Sequence, residues 1–242
     1  MGKDTCICVF VKPPLAGRVK TRLIPAVGAE GAAALAEAFF RDTWDCVKSL
    51  SWAVPIVAST SPLAPGLLPQ PDIQVWLQGG GELGARIERI LTRALTQAPL
   101  AMVLGADSPG LPASFLERAR EALQSADAVL GPCDDGGFYL LGVRECPAGL
   151  LAGIPWSQSS TFKCTLDRLN EGGLKTIVLD PWYDIDRPED LEYLCNQFAR
   201  RAIVAPNTAS ALADLWAVGV AHSAAPANRK ALDSKDDGSQ SP

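Results

Sequence analysis

Histidine is almost absent from this chain. The single one, His222, lies in a polar C-terminal stretch, so chemistry that needs imidazole as a base or a metal ligand is not expected. Paired cysteines are missing too. Cys6 and Cys8 sit two apart on one strand, Cys46, Cys133, Cys146, Cys164 and Cys195 stand singly, and no C-x-x-C occurs. That spacing argues against a cysteine zinc site and a disulfide framework, and fits small thiols buried in a reduced interior. No G-x-x-x-x-G-K-[ST] loop is present, which excludes a P-loop. Positive charge is not in excess: 22 Lys and Arg against 27 Asp and Glu leave a net charge of -5. With a pI near 5.0, no broad basic face is available and a nucleic-acid partner is not expected. No apolar run is read as long enough to span a bilayer and no cleavage signal follows the first residues, so we expect no membrane partner and a cytoplasmic location. What remains for chemistry is carboxylates, cations and backbone.

Hydrophobic residues make up 48% and charged residues 20%, the balance of a globular chain with a substantial core. Strand-like apolar runs cover Thr5 to Val11, Ala53 to Ser59, Ile73 to Leu77, Leu100 to Leu104, Ala128 to Leu130, Phe138 to Val143 and Thr176 to Leu179. Helical spacing of apolar residues covers Gly31 to Leu50, Leu83 to Thr96 and Ser114 to Ser125. Alternating strands and helices predict an α/β fold with a mostly parallel mixed sheet and helices on both faces. The close pair around Gly131 to Phe138 breaks that rhythm and predicts one strand outside the simple β-α-β pattern. Asp186, with Glu189 three residues on, predicts the N-cap of a further helix. The expected organisation is one large domain over 1–202, a C-terminal helix within 203–222 and a disordered tail over 223–242.

Against the acidic background, one segment is cationic. The first strand runs into Lys12-Pro13-Pro14-Leu15-Ala16-Gly17-Arg18-Val19-Lys20-Thr21-Arg22, which places four cations in a loop shaped by two prolines and Gly17. The carboxyl end of a strand is where open α/β sheets hold ligands, and clustered Arg and Lys suit a ligand with several negative charges, most simply a nucleotide's phosphates. A solvated surface turn is the plain alternative.

Three other segments carry chemistry-bearing residues. Gly79, Gly81 and Gly84 satisfy G-x-G-x-x-G between a strand and a helix, with Arg86 beyond them. Read literally this is a dinucleotide fingerprint, but Glu82 would repel a pyrophosphate at the helix start, and a glycine turn that lets backbone approach a base or sugar explains as much. Asp107 follows an apolar strand in Gly105-Ala106-Asp107-Ser108-Pro109. It could cap the turn, or act as a hard oxygen ligand for Mg²⁺, with Asp184 or Asp186 supplying a second carboxylate. Asp135-Gly136-Gly137 reads as a tight hairpin turn, or as an acceptor site in which the glycines admit a substrate and Asp135 meets its hydroxyl. Trp156 is either a core residue or a wall of that site.

Taken in order, K-P-P-x-x-G-R-V-K-T-R-L, G-G-G-E-L-G-A-R, L-G-A-D-S-P-G-L-P, D-D-G-G-F-Y-L-L-G, I-P-W-S and Y-D-I-D-R-P-E-D-L resemble a bacterial group of small transferases in the GT-A superfamily of nucleotide-diphospho-sugar transferases and nucleotidyltransferases. The first loop resembles that of 2-phospho-L-lactate guanylyltransferases and the D-R-P-E-D-L end that of sugar-acid cytidylyltransferases. The resemblance covers about residues 5 to 200 and implies a GT-A fold. It further implies a divalent metal (Mg²⁺ or Mn²⁺) on Asp107 and Asp186, with Asp184 as the nearby alternative. Lys12, Gly17, Arg18, Lys20 and Arg22 would meet phosphates, and Gly79, Gly81, Gly84 and Arg86 the nucleobase or sugar. Asp135, Gly136, Gly137 and Trp156 would meet the acceptor. Cys133-Asp134 departs from the family pattern, in which Ala-Glu or a similar pair is usual.

Two chemistries are compatible with this set. Nucleotidyl transfer from a nucleoside triphosphate to a small phosphorylated acceptor needs no general base, because the attacker is already ionised; Mg²⁺ on Asp107 and Asp186, with Arg18, Lys20 and Arg22, would offset the moving charge. Glycosyl transfer from a nucleotide-diphospho-sugar would use Asp135 as base, and annotation of the resembling group leans that way. Four cations exceed what a metal-held diphosphate requires, so nucleotidyl transfer leads. A non-catalytic nucleotide-binding module is the third reading. The expected partners are a nucleotide donor and a small-molecule acceptor; oligomeric state, a homodimer included, is open.

Overall fold

In the computed structural model, residues 2–64, 67 and 73–217 are described. Strand β1 (Thr5–Val11) is an interior strand of the sheet, and its side chains alternate between two cores. Ile7, Val9 and Val11 pack with Phe40, Trp44 and Val47 of α1 (Ile24–Ser49) on one face. Cys6 and Cys8 pack on the other face with Ile87, Ile90 and Leu91 of α2 (Leu83–Ala94). A strand covered on both sides needs apolar residues at every position, and β1 supplies them. The two thiols, expected on one face, lie 3.9 Å apart there as buried free cysteines.

The remaining elements are β2 (Ala53–Ser59), β3 (Val75–Leu77), β4 (Leu100–Gly105), α3 (Ala113–Ala122), β5 (Ala128–Pro132), β6 (Phe138–Val143), α4 (Thr161–Glu171), β7 (Thr176–Val178), α5 (Pro188–Ala199) and α6 (Pro206–Ala217). Seven strands form one sheet in the order β3-β2-β1-β4-β6-β5-β7. All neighbours are parallel except β6, which runs antiparallel to both β4 and β5; it is the strand outside the β-α-β pattern that the sequence predicts. Chain order turns back between β1 and β4, so the crevice at their carboxyl ends is a topological switch point.

Three features differ from expectation. Helix α4 was not anticipated, because its fully buried stripe is Thr161, Thr165 and Leu169, and two threonines erase the apolar periodicity. Their hydroxyls are satisfied locally: Thr165 Oγ1 donates to Thr161 O at 2.7 Å and Thr161 Oγ1 to Pro155 O at 2.6 Å. Second, the 29-residue stretch Thr21–Ser49 is long and apolar enough to cross a membrane, with a mean hydropathy of 1.4 over an 18-residue window, half of which is buried. Here it is a core helix, broken at Gly28 (φ 74°) and packed under the sheet and α6. Third, Asp186 does not cap α5. Arg187 holds that position, and Asp190 accepts from Asp186 N at 2.9 Å and Arg187 N at 2.7 Å. The expected C-terminal tail lies outside the described residues.

Helix α6 is fastened by one carboxylate. Buried Asp42 on α1 accepts from Asn207 N (2.9 Å) and Nδ2 (2.8 Å) on one oxygen, and from Thr208 N (2.8 Å) and Oγ1 (2.6 Å) on the other. These include donors that an α-helix start leaves without intrahelical partners. Asp42→Ala strands them in a buried site, where each unmet group costs about 1–3 kcal/mol. The expected loss is about 3 kcal/mol in urea unfolding, with protease cleavage appearing in α6 before the rest of the chain; an unchanged midpoint would contradict the role given to Asp42.

Candidate active site

Three chain segments converge at the switch point. The loop after β1 turns at Gly17 (φ 73°), which glycine adopts without strain. It ends at Lys20, a non-glycine residue in the left-handed region (φ 43°, ψ 42°). That conformation costs a side-chain-bearing residue about 1–2 kcal/mol, and what it achieves is direction. The Lys20 side chain, only 5% exposed, places Nζ 2.9 Å from Asp107 Oδ1 and 2.7 Å from Asp186 Oδ1. Arg22 lies 3.6 Å from the other Asp186 oxygen.

Asp107 follows β4, and the 182–186 segment is laid beside it by backbone pairing. Trp182 N donates to Pro132 O at 3.0 Å, Cys133 and Trp182 form a parallel bridge, and Ile185 N donates to Asp107 O at 3.0 Å. Buried Tyr183 and Ile185 alternate with Asp184 and Asp186, so the two carboxylates share the side that faces the cleft. The β5–β6 turn brings Asp135, whose Oδ1 accepts from Gly137 N at 2.7 Å.

These segments wall a cleft of about 1240 Å³. Lys12, Arg18, Lys20, Arg22, Asp107, Asp135, Gly137, Trp156, Asp184 and Asp186 all line it, joined by Cys133, Asp134, Arg187 and Asp190. Among the described residues, neither Lys12 nor Arg18 pairs with a carboxylate, and both are exposed. Trp156 is half-buried and meets Phe138 edge-on, ring centroids 6.1 Å apart, so it is both a packed residue and a wall.

Other residues singled out in the sequence have structural work. Gly79, Gly81, Gly84 and Arg86 do not line the cleft, although Leu83 and Ile87 beside them do. A Cβ on Gly79 would meet the Arg89 guanidinium, and Arg89 itself donates to the carbonyls of Gln78 and Gly80. Gly84 has Leu151 O and Trp156 against it, and Arg86 donates to Gln78 Oε1 at 3.2 Å. The glycine turn is held by arginine side chains. Gly136 (φ 88°) sits where a Cβ would collide with the backbone of Ser159, fixing the β5–β6 turn against the approach to α4. Cys133, Asp134 and Asp190 were not among the residues expected here; only the departure at Cys133-Asp134 signalled the first two.

The charges perturb one another. Burial alone would lower the Lys20 ammonium, but Asp107 and Asp186 outweigh it and raise it above its ordinary value. Burial alone would raise Asp186, but Lys20, Arg22 and Arg187 hold it below the usual carboxylate range. Asp184 is pushed up to about 7, first by burial and then by Asp135 and Asp186. Burial and the surrounding aspartates push the Cys133 thiol up.

A family model described as "Uncharacterized protein conserved in bacteria (DUF2064)" matches residues 46–158. No curated protein matches the chain. Among solved structures, a protein of Desulfovibrio desulfuricans G20 with a provisional assignment as a nucleotide-diphospho-sugar transferase is similar over 90% of this chain and 97% of its own, at 29% identity and TM-score 0.79. The chain has the GT-A fold of nucleotide-diphospho-sugar transferases. The fold also matches a cytidylyltransferase from Leptospira borgpetersenii serovar Hardjo-bovis, at TM-score 0.55 over 93% of this chain and 99% of that one. CMP:2-keto-3-deoxy-manno-octonic acid synthetase, solved with CTP, gives TM-score 0.53 over 82% and 99%. At 11% identity each, these two bear on the fold alone. In this GT-A chain the switch-point crevice is the candidate active site.

Lys20→Met removes the cation while keeping the length of the side chain. Asp107 and Asp186 are 57% and 37% exposed, so water screens part of the loss and the expected cost is about 2 kcal/mol at pH 7, below that of breaking a fully buried pair. Because Asp186 is held below its ordinary value, its contribution is present above the unfolded pKa and fades as pH falls through the folded one. The stability gap between wild type and variant should therefore narrow below about pH 4. A gap that is constant or widens in urea titrations at low pH would rule out the ion pair as its source.

Proposed function

We propose that the protein is a divalent-metal-dependent transferase that moves a nucleotidyl group from a nucleoside triphosphate to a small phosphorylated acceptor, releasing pyrophosphate. The observation that carries this is the direction of the cationic loop: it turns into the cleft and reaches Asp107 through Lys20. An acceptor phosphate oxygen attacks the α-phosphorus, the bond from that phosphorus to the α,β-bridging oxygen breaks, and pyrophosphate leaves with the electron pair. The attacker is already ionised, so the lack of histidine in the cleft is no obstacle. Lys12 and Arg18 would take the phosphates that meet them from solvent. Lys20 would offset charge that builds on the leaving group.

The donor set fits a hard divalent cation: Asp107, Asp184 and Asp186 present carboxylate oxygens to one cleft, and crowding of like charge there is what such an ion relieves. Asp107 and Asp186 would hold it. When bound it supplies neutralisation of the transferring phosphate. Asp135 and Gly137, which line the same cleft, would meet the acceptor.

Glycosyl transfer from a nucleotide-diphospho-sugar is the second reading, and a specific observation favours it. Lys20 and Arg22 already meet carboxylates, which leaves Lys12 and Arg18 for phosphate, enough for a diphosphate held by a metal. The provisional assignment of the Desulfovibrio protein supports the same reading, and Asp135 would then be the base.

Incubation with each of the four NTPs or with common nucleotide-sugars, Mg²⁺ and a pool of small phosphorylated and hydroxylic acceptors separates the two. We expect pyrophosphate from one NTP, lost on chelation and reduced about 100-fold or more in Asp107→Asn. Nucleoside diphosphate from a sugar donor, with no pyrophosphate from any NTP, would replace the lead reading with the second. No turnover with any donor, combined with unchanged nucleotide affinity in Asp107→Ala, would point to a binding module.

A further inference from the structure

Lys20 neutralises one side of the carboxylate wall and leaves the other side uncompensated. Asp107 and Asp186 share its ammonium. Among the described residues, no hydrogen bond or ion pair reaches the Asp184 carboxylate or the Cys133 thiol. Cys133 is 9% exposed, a buried free thiol. The thiol, the Asp184 carboxylate and the Asp135 carboxylate nonetheless converge, with their potential ligand atoms all within 4.8 Å of one another.

The convergence is built by backbone. The bridge between Cys133 and Trp182 sets the register that brings Asp184 alongside. Cys133 N donates to Gly137 O at 3.0 Å, and this closes the turn that carries Asp135. Gly137 N engages only Asp135 Oδ1, so Oδ2 is available for a ligand.

We propose that Cys133 Sγ, with one carboxylate oxygen each from Asp135 and Asp184, forms a divalent-cation site separate from the pair held by Lys20, and that its sulfur selects borderline or soft cations such as Zn²⁺ over Mg²⁺. Thiolate favours such ions, whereas magnesium takes oxygen ligands. Zinc–sulfur and zinc–oxygen bonds of about 2.3 and 2.1 Å put tetrahedral ligand atoms about 3.5 Å apart. The three groups must therefore draw together slightly, which the exposed Asp135 side chain allows. Binding would displace the thiol proton to solvent, because only the thiolate ligates. The site rests on these residues and not on which group the cleft transfers, so its test reads binding and not turnover.

Titrate the full chain with Cd²⁺ and Zn²⁺ by calorimetry, following thiolate-to-cadmium absorption in the ultraviolet, with a large excess of Mg²⁺ as competitor. We expect one equivalent bound with a thiolate band that Cys133→Ser abolishes. Affinity should fall about tenfold or more in Asp184→Asn and in Asp135→Asn, persist in Asp107→Asn, and resist Mg²⁺. The Asp135→Asn variant alters an exposed side chain and keeps the test valid if Cys133→Ser folds poorly. An unchanged band and affinity in Cys133→Ser, or binding lost as fully in Asp107→Asn as in Asp184→Asn, would overturn the site, and effective competition by Mg²⁺ would overturn its selectivity. Turnover without this cation site would sink the present proposal alone, and the site without turnover would leave it standing while removing the transferase reaction.

Discussion

The contact of Lys20 with Asp107 and Asp186 is the constraint around which the cleft is arranged. Moving an ammonium out of water costs several kcal/mol even after relaxation, and Lys20 also bears a left-handed backbone. The balance closes because the cost falls mainly on one partner. Both carboxylates keep part of their surface in water, at 57% and 37% exposure, so part of their hydration is retained while the lysine gains two charge-assisted hydrogen bonds. A lysine paired with one fully buried aspartate would have had the desolvation of two ions to offset. The arrangement also ties together three segments distant in sequence: the loop after β1, the end of β4 and the strand-like run before α5.

Those segments meet because of the sheet's order. With β1 and β4 as neighbours and the chain leaving them in opposite directions, their carboxyl ends open into a crevice that no crossover helix covers. The antiparallel β6 then places the β5–β6 turn at that same end of the sheet. The stretch from Leu179 to Asp186 continues the line of β7 past the end of β5, through Leu179 N to Leu130 O and Trp182 N to Pro132 O. It finishes on Asp107. Acidic residues far apart in sequence thus become neighbours through ordinary ladder pairing, with alternation sending Tyr183 and Ile185 inward and Asp184 and Asp186 toward the ligand space.

How much of this was legible depended on what kind of signal each part leaves. The β1 loop was legible because charge against an acidic background is a composition anomaly tied to a strand end. The strands were legible because burial on both faces demands unbroken apolar runs, and Phe138–Val143 matches its sequence-read bounds. Helix α4 was not, since threonines whose hydroxyls bond within the helix and to Pro155 can occupy core positions without an apolar signature. The cap of α5 was misplaced by spacing: Asp186 and Glu189 have the capping-box interval, but Asp190 does that work, and Asp186 is freed for Lys20. Nor could spacing show that Gly79 and Gly81 belong to a turn clasped by Arg89, because a glycine fingerprint encodes the backbone shape and not what fills it. Gly31 to Leu50 was likewise legible as helix, but the apolar length of Thr21–Ser49 describes a core-covering element as well as it would a membrane span.

The charge balance of the cleft bears directly on its chemistry. Five cationic side chains face six carboxylates there, so the site has no spare positive charge despite the cationic loop. A nucleotide's phosphates would add several negative charges to a region where Asp184 is already pushed up to about 7 by burial and its acidic neighbours. At an effective dielectric near 20, each unit pair at about 4 Å is worth roughly 4 kcal/mol, more than hydrogen bonds to Lys12 and Arg18 alone would recover. A phosphate-bearing donor therefore fits this cleft only together with a cation, or with Lys20 released from its carboxylates, and the two alternatives are coupled: a cation taking over Asp107 and Asp186 would free the Lys20 ammonium for phosphate. On that physical footing, donor and metal are expected to bind as one unit, and the lysine that organises the resting cleft is the group whose partner must change when they do.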